Sequence, residues 1–209
     1  SDLAAQTEEE VSSSTLEALP GPERVGGAGL YGLLQSRRSL RSFTDERLTP
    51  EEIGQLLWAG HGTTGTDRFT HHTIPSAGAL YPIELFLLDS RGVARYHQAD
   101  HALVWQTRDD QRSDLARACL QQMWAADAPV IIVVVGVPER TTTKYGDRGE
   151  RYVQIEAGCV LQNLLLAATE LGLGGTPIGA FRDEDVSGSL QLPAGWEPLL
   201  VVPVGHAAP

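Results

Sequence analysis

Residues 129–138 read Pro-Val-Ile-Ile-Val-Val-Val-Gly-Val-Pro. A β-branched run of this density, bounded by prolines, predicts a strand over 130–137 buried on both faces. Such a strand needs helices on either side of its sheet. The chain supplies them. Downstream, 148–171 reads as a long helix whose second half, 157–168, is apolar almost all round, which predicts burial on most sides; Gly172 and Gly174 stop it. Upstream, 83–88 and 93–97 read as a hairpin across Asp89-Ser90-Arg91-Gly92, with a third short strand at 102–106. A helix is expected over 113–126, capped by Ser113, and a last buried strand over 199–204. Thr49-Pro50-Glu51-Glu52 is a capping box with proline at the first helical position, and Ile53, Leu56 and Leu57 mark the buried face that follows. Gly60, Gly62 and Gly65 then end that helix and open a loop of Thr, His and Gly. Leu30, Leu33 and Leu34 share one helical face. Strands and helices do not strictly alternate, so the expected class is α+β, a central mixed sheet covered by helices.

Residues 1–29 carry Glu8-Glu9-Glu10, Ser12-Ser13-Ser14 and Pro20-Gly21-Pro22, and read as an acidic, poorly ordered leader. Within it Leu16 and Leu19 are spaced for docking. Residues 30–209 form the expected folded domain. A net charge of −11 argues against nucleic-acid binding, because phosphate neutralisation needs a basic face. Two cysteines, Cys119 and Cys159, make neither a disulfide framework nor a zinc set, so no metal is expected and a reduced, cytoplasmic setting is. The longest apolar run, 129–137, is too short to span a bilayer, and the polar N-terminus does not read as a signal peptide.

Four stretches hold residues suited to chemistry. Arg37-Arg38-Ser39-Leu40-Arg41 sets three guanidinium groups and a hydroxyl together in an acidic chain. That combination matches a phosphate group, or else arginines at a helix C-terminus facing solvent. Pro75-Ser76-Ala77-Gly78-Ala79-Leu80-Tyr81-Pro82 is a small-residue loop that lets backbone approach a flat ligand, or a tight lead into the next strand. Lys144-Tyr145 can exchange protons if buried, or is a solvated loop before a helix. Gly174-Gly175-Thr176-Pro177-Ile178-Gly179-Ala180-Phe181 can aim backbone N–H groups at a ligand, or is a simple turn.

Taken in order, and with Glu156-Ala157-Gly158 and Gln162-Asn163-Leu164, these stretches resemble the nitroreductase-like FMN flavoprotein superfamily, specifically its SagB/McbC-type dehydrogenase branch. The resemblance runs from about Leu30 to His206, and Pro-Ser-Ala-Gly-Ala-Leu-Tyr-Pro is its most specific part. It implies a nitroreductase-like homodimer with shared active sites and FMN at the interface. It implies that Arg37, Ser39 and Arg41, with Arg38 as a weaker candidate, hold the FMN phosphate and ring edge. Pro75, Ser76, Ala77 and Gly78 would meet the flavin from the partner chain. Gln122 would lie near the pyrimidine end, and the backbone at Gly179 and Ala180, led in by Pro177, would address the hydride-accepting nitrogen. Lys144 and Tyr145 match the pair that azoline-oxidising members use for deprotonation. Ordinary nitroreductases carry a basic tail beyond the position of His206. None follows here, so phosphate neutralisation is expected to rest on Arg37–Arg41.

The expected function is therefore an FMN-dependent dehydrogenase or oxidase acting on an azoline-like heterocycle in natural-product biosynthesis. Its substrate would be peptide- or carrier-bound, with other biosynthetic enzymes as partners. An NAD(P)H-dependent nitro or quinone reductase and a non-catalytic flavin-binding subunit stay open as alternatives.

Overall fold

The computed structural model describes residues 16–24 and 27–209. Seven strands form one sheet: β1 (Leu16–Ala18), β4 (Ile83–Asp89), β5 (Gly92–His97), β6 (Ala102–Thr107), β7 (Val130–Gly136), β8 (Gly174–Gly175) and β9 (Glu197–Gly205), in the order β1-β6-β5-β4-β7-β9-β8. Every ladder in it is antiparallel; the one parallel pairing among the described residues is the isolated bridge Ser39–Gly175. A small hairpin, β2 (Thr63–Thr66) and β3 (Thr70–His72), stands apart from it.

The strand at 130–137 sits where its sequence predicts, paired on both sides and buried throughout. Alternate residues of the central strands feed two cores. Leu85, Leu87, Ile132 and Val134 pack beneath α2 (Pro50–His61) and α5 (Arg148–Glu170). Phe86, Leu88, Ile131, Val133 and Val135 pack against α3 (Arg112–Ala118) and α6 (Asp183–Leu190). Two shorter helices, α1 (Leu30–Ser36) and α4 (Glu139–Tyr145), complete the α+β architecture. The capping box of α2 is present in both directions, Glu52 N–H to Thr49 Oγ1 at 3.2 Å and Thr49 N–H to Glu52 Oε2 at 2.7 Å.

Some expectations are corrected. Of the expected leader, residues 1–15 and 25–26 lie outside the described residues, but order begins before Leu30. β1 adds to the outer edge of β6, where the Glu17 carboxylate accepts hydrogen bonds from Arg91 and from Trp105 Nε1, each at 2.8 Å. Three residues are too few to show a period, so the sequence pattern does not reveal this strand. The helix expected over 113–126 ends at Ala118. Leu120 and Gln121 take left-handed backbone, and the Gln122 side chain donates to the Cys119 carbonyl that a continuing helix would have used. The chain then re-forms as a short turn of 3₁₀ helix, Met123–Asp127. Lys144 and Tyr145 end a helix rather than lying in a loop.

α5 buries Val153, Ala157, Val160, Leu164 and Ala168 along one face, yet in a single chain it leaves Ile155 and Gly158 exposed. It packs on α2 at Gly60, where an added Cβ would stand 2.9 Å from Leu164 Cδ2 and 3.1 Å from Leu85 Cδ1. Leu164 is fully buried at this three-way junction. Leu164→Ala is expected to lower unfolding free energy by about 2–5 kcal/mol, read from urea melts, because the rigid junction cannot close around the cavity.

Candidate active site

The sequence-predicted residues fall into two groups. The first gathers around the 174–181 loop. Leu40 N–H donates to the Gly175 carbonyl, and Thr176 Oγ1 donates to the Leu40 carbonyl at 2.7 Å, so the arginine segment is fastened to that loop. Arg41 lies 5.9 Å from the centre of the Trp124 ring, which also stacks on Phe43, and this brings the Gln122 segment alongside. Arg37 is half-buried, while Ser39 and Arg41 are exposed. Neither Arg37 nor Arg41 has a carboxylate partner among the described residues. Arg38 differs. Its guanidinium donates to the Gln35 and Arg37 carbonyls at the end of α1, the structural role of a helix C-terminal arginine. Gln122 donates one amide N–H to the Cys119 carbonyl, so its second N–H and its carbonyl oxygen are what it can offer a ligand. Pro177 is half-buried; Gly179 and Ala180 are exposed, and an added Cβ at Gly179 would meet nothing within 4 Å. Gly179 also borders a cleft of about 520 Å³ lined by Gln154, Phe181, Trp196 and Leu199.

The second group gathers around the 75–82 loop. Pro75 is exposed, Ser76 and Ala77 are half-buried, and Gly78 is exposed. Left-handed backbone at Gly78 (φ 66°), Ala79 (55°) and Tyr81 (45°) folds the loop tightly. Ser76 Oγ staples it by accepting the Tyr81 N–H at 2.8 Å. At Gly78 an added Cβ would stand 2.6 Å from Tyr145 Oη and 2.8 Å from Lys144 Nζ. The left-handed backbone there favours glycine, and a side chain would have to displace the ends of Lys144 and Tyr145, so the small-residue loop and the Lys144–Tyr145 pair form one surface. Tyr145 is half-buried and meets Tyr152 edge to face at 5.1 Å; Lys144 is exposed in a single chain.

Sequence reading left without a role the polar residues beneath that loop. Glu156, on the buried face of α5, is 3% exposed. Burial raises its carboxyl to about 7, and the hydrogen-bonding Ser76 hydroxyl and the Arg140 guanidinium pull the other way. Arg140 is already engaged, donating to Glu84 Oε1 at 2.6 Å and to the Tyr81 carbonyl at 2.8 Å. Burial first, then Glu156, raises the Tyr81 phenol. The Tyr81 ring lies 4.0 Å from His72 and 5.9 Å from His61, and burial with His72 and Arg140 nearby lowers His61 to about 3, leaving it neutral. His61 Nε2, His72 Nδ1, Thr73 Oγ1 and Glu156 Oε1 are buried atoms without a hydrogen-bond partner. The signal in the sequence was a lone glutamate in register with Val153, Val160 and Leu164 on an apolar helix face.

The Nitroreductase family model matches residues 34–206. The chain is 40% identical over 183 residues to a nitroreductase-type protein of Methanocaldococcus jannaschii, covering 85% of this chain and 90% of that one. This protein belongs to the nitroreductase family. In structure it is similar to a nitroreductase-type protein from Ralstonia eutropha, with a TM-score of 0.80 and 26% identity over 95% of this chain and 93% of that one. It is also similar to a chain of the Escherichia coli microcin synthetase McbBCD complex with truncated pro-MccB17 bound, with a TM-score of 0.73 and 25% identity over 91% of this chain and 77% of that one. Membership makes the protein an oxidoreductase by family and bears out the expected fold. Among the described residues no helix is long and apolar enough to cross a membrane.

The Glu156 carboxyl yields a prediction with a definite sign. Its folded-state value of about 7 lies above the ordinary 4.5. Its contribution to stability is therefore complete below about pH 4.5 and is lost as pH rises through 7. Glu156→Gln removes that dependence. The stability of the variant relative to wild type should rise by roughly 3 kcal/mol between pH 4.5 and 7, at about 1.4 kcal/mol per pH unit, and then level off. Denaturant melts at a series of pH values check it; a difference independent of pH would show that Glu156 is ionised throughout.

Proposed function

We propose that this chain is an FMN-dependent dehydrogenase that oxidises an azoline-like ring, or a similar intermediate, carried on a peptide or carrier in natural-product biosynthesis. The observation that carries the reading is the packing of Gly78 against both Lys144 Nζ and Tyr145 Oη. It unites the most specific loop of the sequence with the residues suited to moving a proton. The likeness to a chain of a microcin synthetase complex seen with a pro-peptide supports a peptide substrate and partner enzymes.

The residues present fit FMN. Arg37 and Arg41, without carboxylate partners, suit a phosphate dianion, and the exposed backbone at Gly179 and Ala180 is open to a flat ring. Arg37, Ser39 and Arg41 would hold the phosphate and ring edge, while the Gln122 amide, Pro177, Gly179 and Ala180 would line one side. When bound, FMN supplies a two-electron, hydride-accepting centre. Neither group within one chain has both the arginines and the Lys144–Tyr145 pair. A homodimer would join the first group of one copy to Pro75, Ser76, Ala77 and Gly78 of the other. The exposed Leu30, Tyr31 and Leu34 of α1 and Ile155 of α5 give such a dimer its apolar area.

Oxidising an azoline to an azole removes one hydrogen as a proton and one as hydride. This chain's own residues answer for the proton. Lys144 accepts it from the ring carbon, and the Tyr145 hydroxyl, at the same Gly78 surface, holds or relays it. A second copy closing over Lys144 excludes the water that surrounds it in one chain.

A second reading, an NAD(P)H-dependent nitro or quinone reductase, is favoured by the 40% identity to the archaeal nitroreductase-type protein. Anaerobic mixing separates the two: rapid bleaching of the bound flavin by NADPH belongs to the reductase, and bleaching by an azoline-containing peptide alone belongs to the dehydrogenase. On the proposed reading, Lys144→Ala and Tyr145→Phe each lower azoline oxidation by about 10²–10⁴-fold while the flavin spectrum stays that of wild type. Near-wild-type turnover in both would remove the base assignment.

The cofactor assignment is checked separately. Arg37→Ala and Arg41→Ala should each weaken FMN binding by about tenfold to a hundredfold, the worth of a charge-assisted hydrogen bond, with riboflavin affinity changed far less. Fluorescence titration reads both ligands, and equal losses for FMN and riboflavin would move these arginines away from the phosphate.

A further inference from the structure

We propose that Tyr81 is a positioning residue for the Lys144–Tyr145 pair, fastening the loop that carries Gly78 to α4 and to the β2–β3 hairpin. The role rests on the reading of Lys144 and Tyr145 as the proton-handling pair; the fastening itself consists of contacts within this chain. Tyr81 is held at each of its polar atoms. Its N–H donates to Ser76 Oγ at 2.8 Å, which joins the two ends of the loop across Gly78. Its carbonyl accepts from Arg140 Nη1 at 2.8 Å. Its hydroxyl donates to the Thr70 carbonyl at 3.3 Å, and its ring lies 4.0 Å from that of His72, both residues of β3.

The origin of each tie decides what it does. Arg140 stands one helical turn before Lys144 on the same face of α4, so the helix that ends in the pair also grips the loop. The hairpin is a fixed post, because its root is bound to α2 and α5. Trp58 Nε1 donates to the Thr63 carbonyl at 3.0 Å, the Thr73 N–H to the Gly62 carbonyl at 3.0 Å, and Asn163 Nδ2 to the Thr73 carbonyl at 3.2 Å. Between these anchors Gly78, Ala79 and Tyr81 all have left-handed backbone, and two of the three carry a Cβ. A residue with a Cβ keeps that conformation only where its surroundings hold it. The loop therefore owes its shape to the grip on Tyr81 from Ser76, Arg140 and β3. Gly78 is thereby set where an added Cβ would stand 2.6 Å from Tyr145 Oη and 2.8 Å from Lys144 Nζ. Without the tie from the phenol, the loop keeps its path but loses its fixed distance from the pair.

The test compares wild type with Tyr81→Phe, which keeps a ring against His72 and removes only the hydroxyl. Amide hydrogen exchange is measured on the purified protein without added cofactor. The reporters are the N–H groups of residues 79 and 81, which donate to the Ser76 carbonyl and to Ser76 Oγ. The amides of β7 report opening of the whole fold. In the variant, residues 79 and 81 should exchange about fivefold faster, the worth of one hydrogen bond, with β7 unchanged. With an azoline-containing peptide as probe and FMN at saturation, kcat should fall by about the same factor at unchanged KM. Added to Lys144→Ala, Tyr81→Phe should cost no further kcat, because the base it positions is gone. Unchanged exchange at residues 79 and 81 overturns the proposal. So does an acceleration that includes β7 equally, which marks a residue of general stability, and so do additive losses of kcat in the double variant. Turnover unmoved by both Lys144→Ala and Tyr145→Phe sinks the proton-handling reading and the positioning role with it, while faster exchange in Tyr81→Phe still establishes the fastening.

Discussion

A helix of 23 residues packs on the sheet and on α2, where a Cβ added at Gly60 would crowd Leu164 and Leu85. Val153, Ala157, Val160, Leu164 and Ala168 are buried along that face of α5. A polar side chain among them draws its partners from the protein rather than from water. Asn163 does so by donating to the Ala59 and Thr73 carbonyls, which pins the end of α2 and the strand leading to the 75–82 loop. Glu156, seven residues earlier and two turns away on the same side, is buried on that face as well. The approach to the 75–82 loop is thus fixed from the core, by the amide of Asn163.

The same packing explains why α5 is polar-poor on one side and carries Ile155 and Gly158 on the other. A helix buried by its own chain along one face can keep apolar residues on a second face when another surface is to cover it. The division of the candidate residues into an arginine-bearing group and a lysine–tyrosine-bearing group matches that economy. On the proposed dimeric reading, one chain organises two half-sites instead of one whole site.

What was legible in the sequence followed the length and purity of the local pattern. The β-branched run at 130–137 could only be a buried strand, and the Thr49 box could only start a helix, because each signal is repeated within a few residues. Short elements carried no such repetition. β1 is held by its ladder to β6 and by one carboxylate that serves Arg91 and Trp105, all more than seventy residues away in sequence. The helix that begins at Arg112 stops where Leu120 and Gln121 turn left-handed and the Gln122 side chain takes the Cys119 carbonyl, an ending invisible to propensity. The site stretches were visible as unusual compositions, but their grouping was not. That Gly78 touches Lys144 and Tyr145 depends on where β4 and α4 place their ends. Glu156 was hidden for a different reason: a carboxyl on an apolar face reads as an interruption until its partners are seen. Where the structure describes the site residues, it also shows that Arg38 belongs to the end of α1.

The two ends of the sheet have a consequence for how the molecule can associate. Among the described residues the terminal strands are very short: three residues at one end, paired to Ala102–Val104 of β6, and two glycines at the other, paired to the end of β9 and bridged to Ser39. The rest of that border of β9 is taken at Val201 by the bridge to Ile178 and interrupted by Pro203, which has no N–H to donate. Continuation of the sheet from molecule to molecule is thereby discouraged at the β9 border. Recognition between copies, or of a peptide, is directed to side-chain surfaces and loops, where it can be selective, and away from the backbone, where it would be indiscriminate and prone to fibre formation.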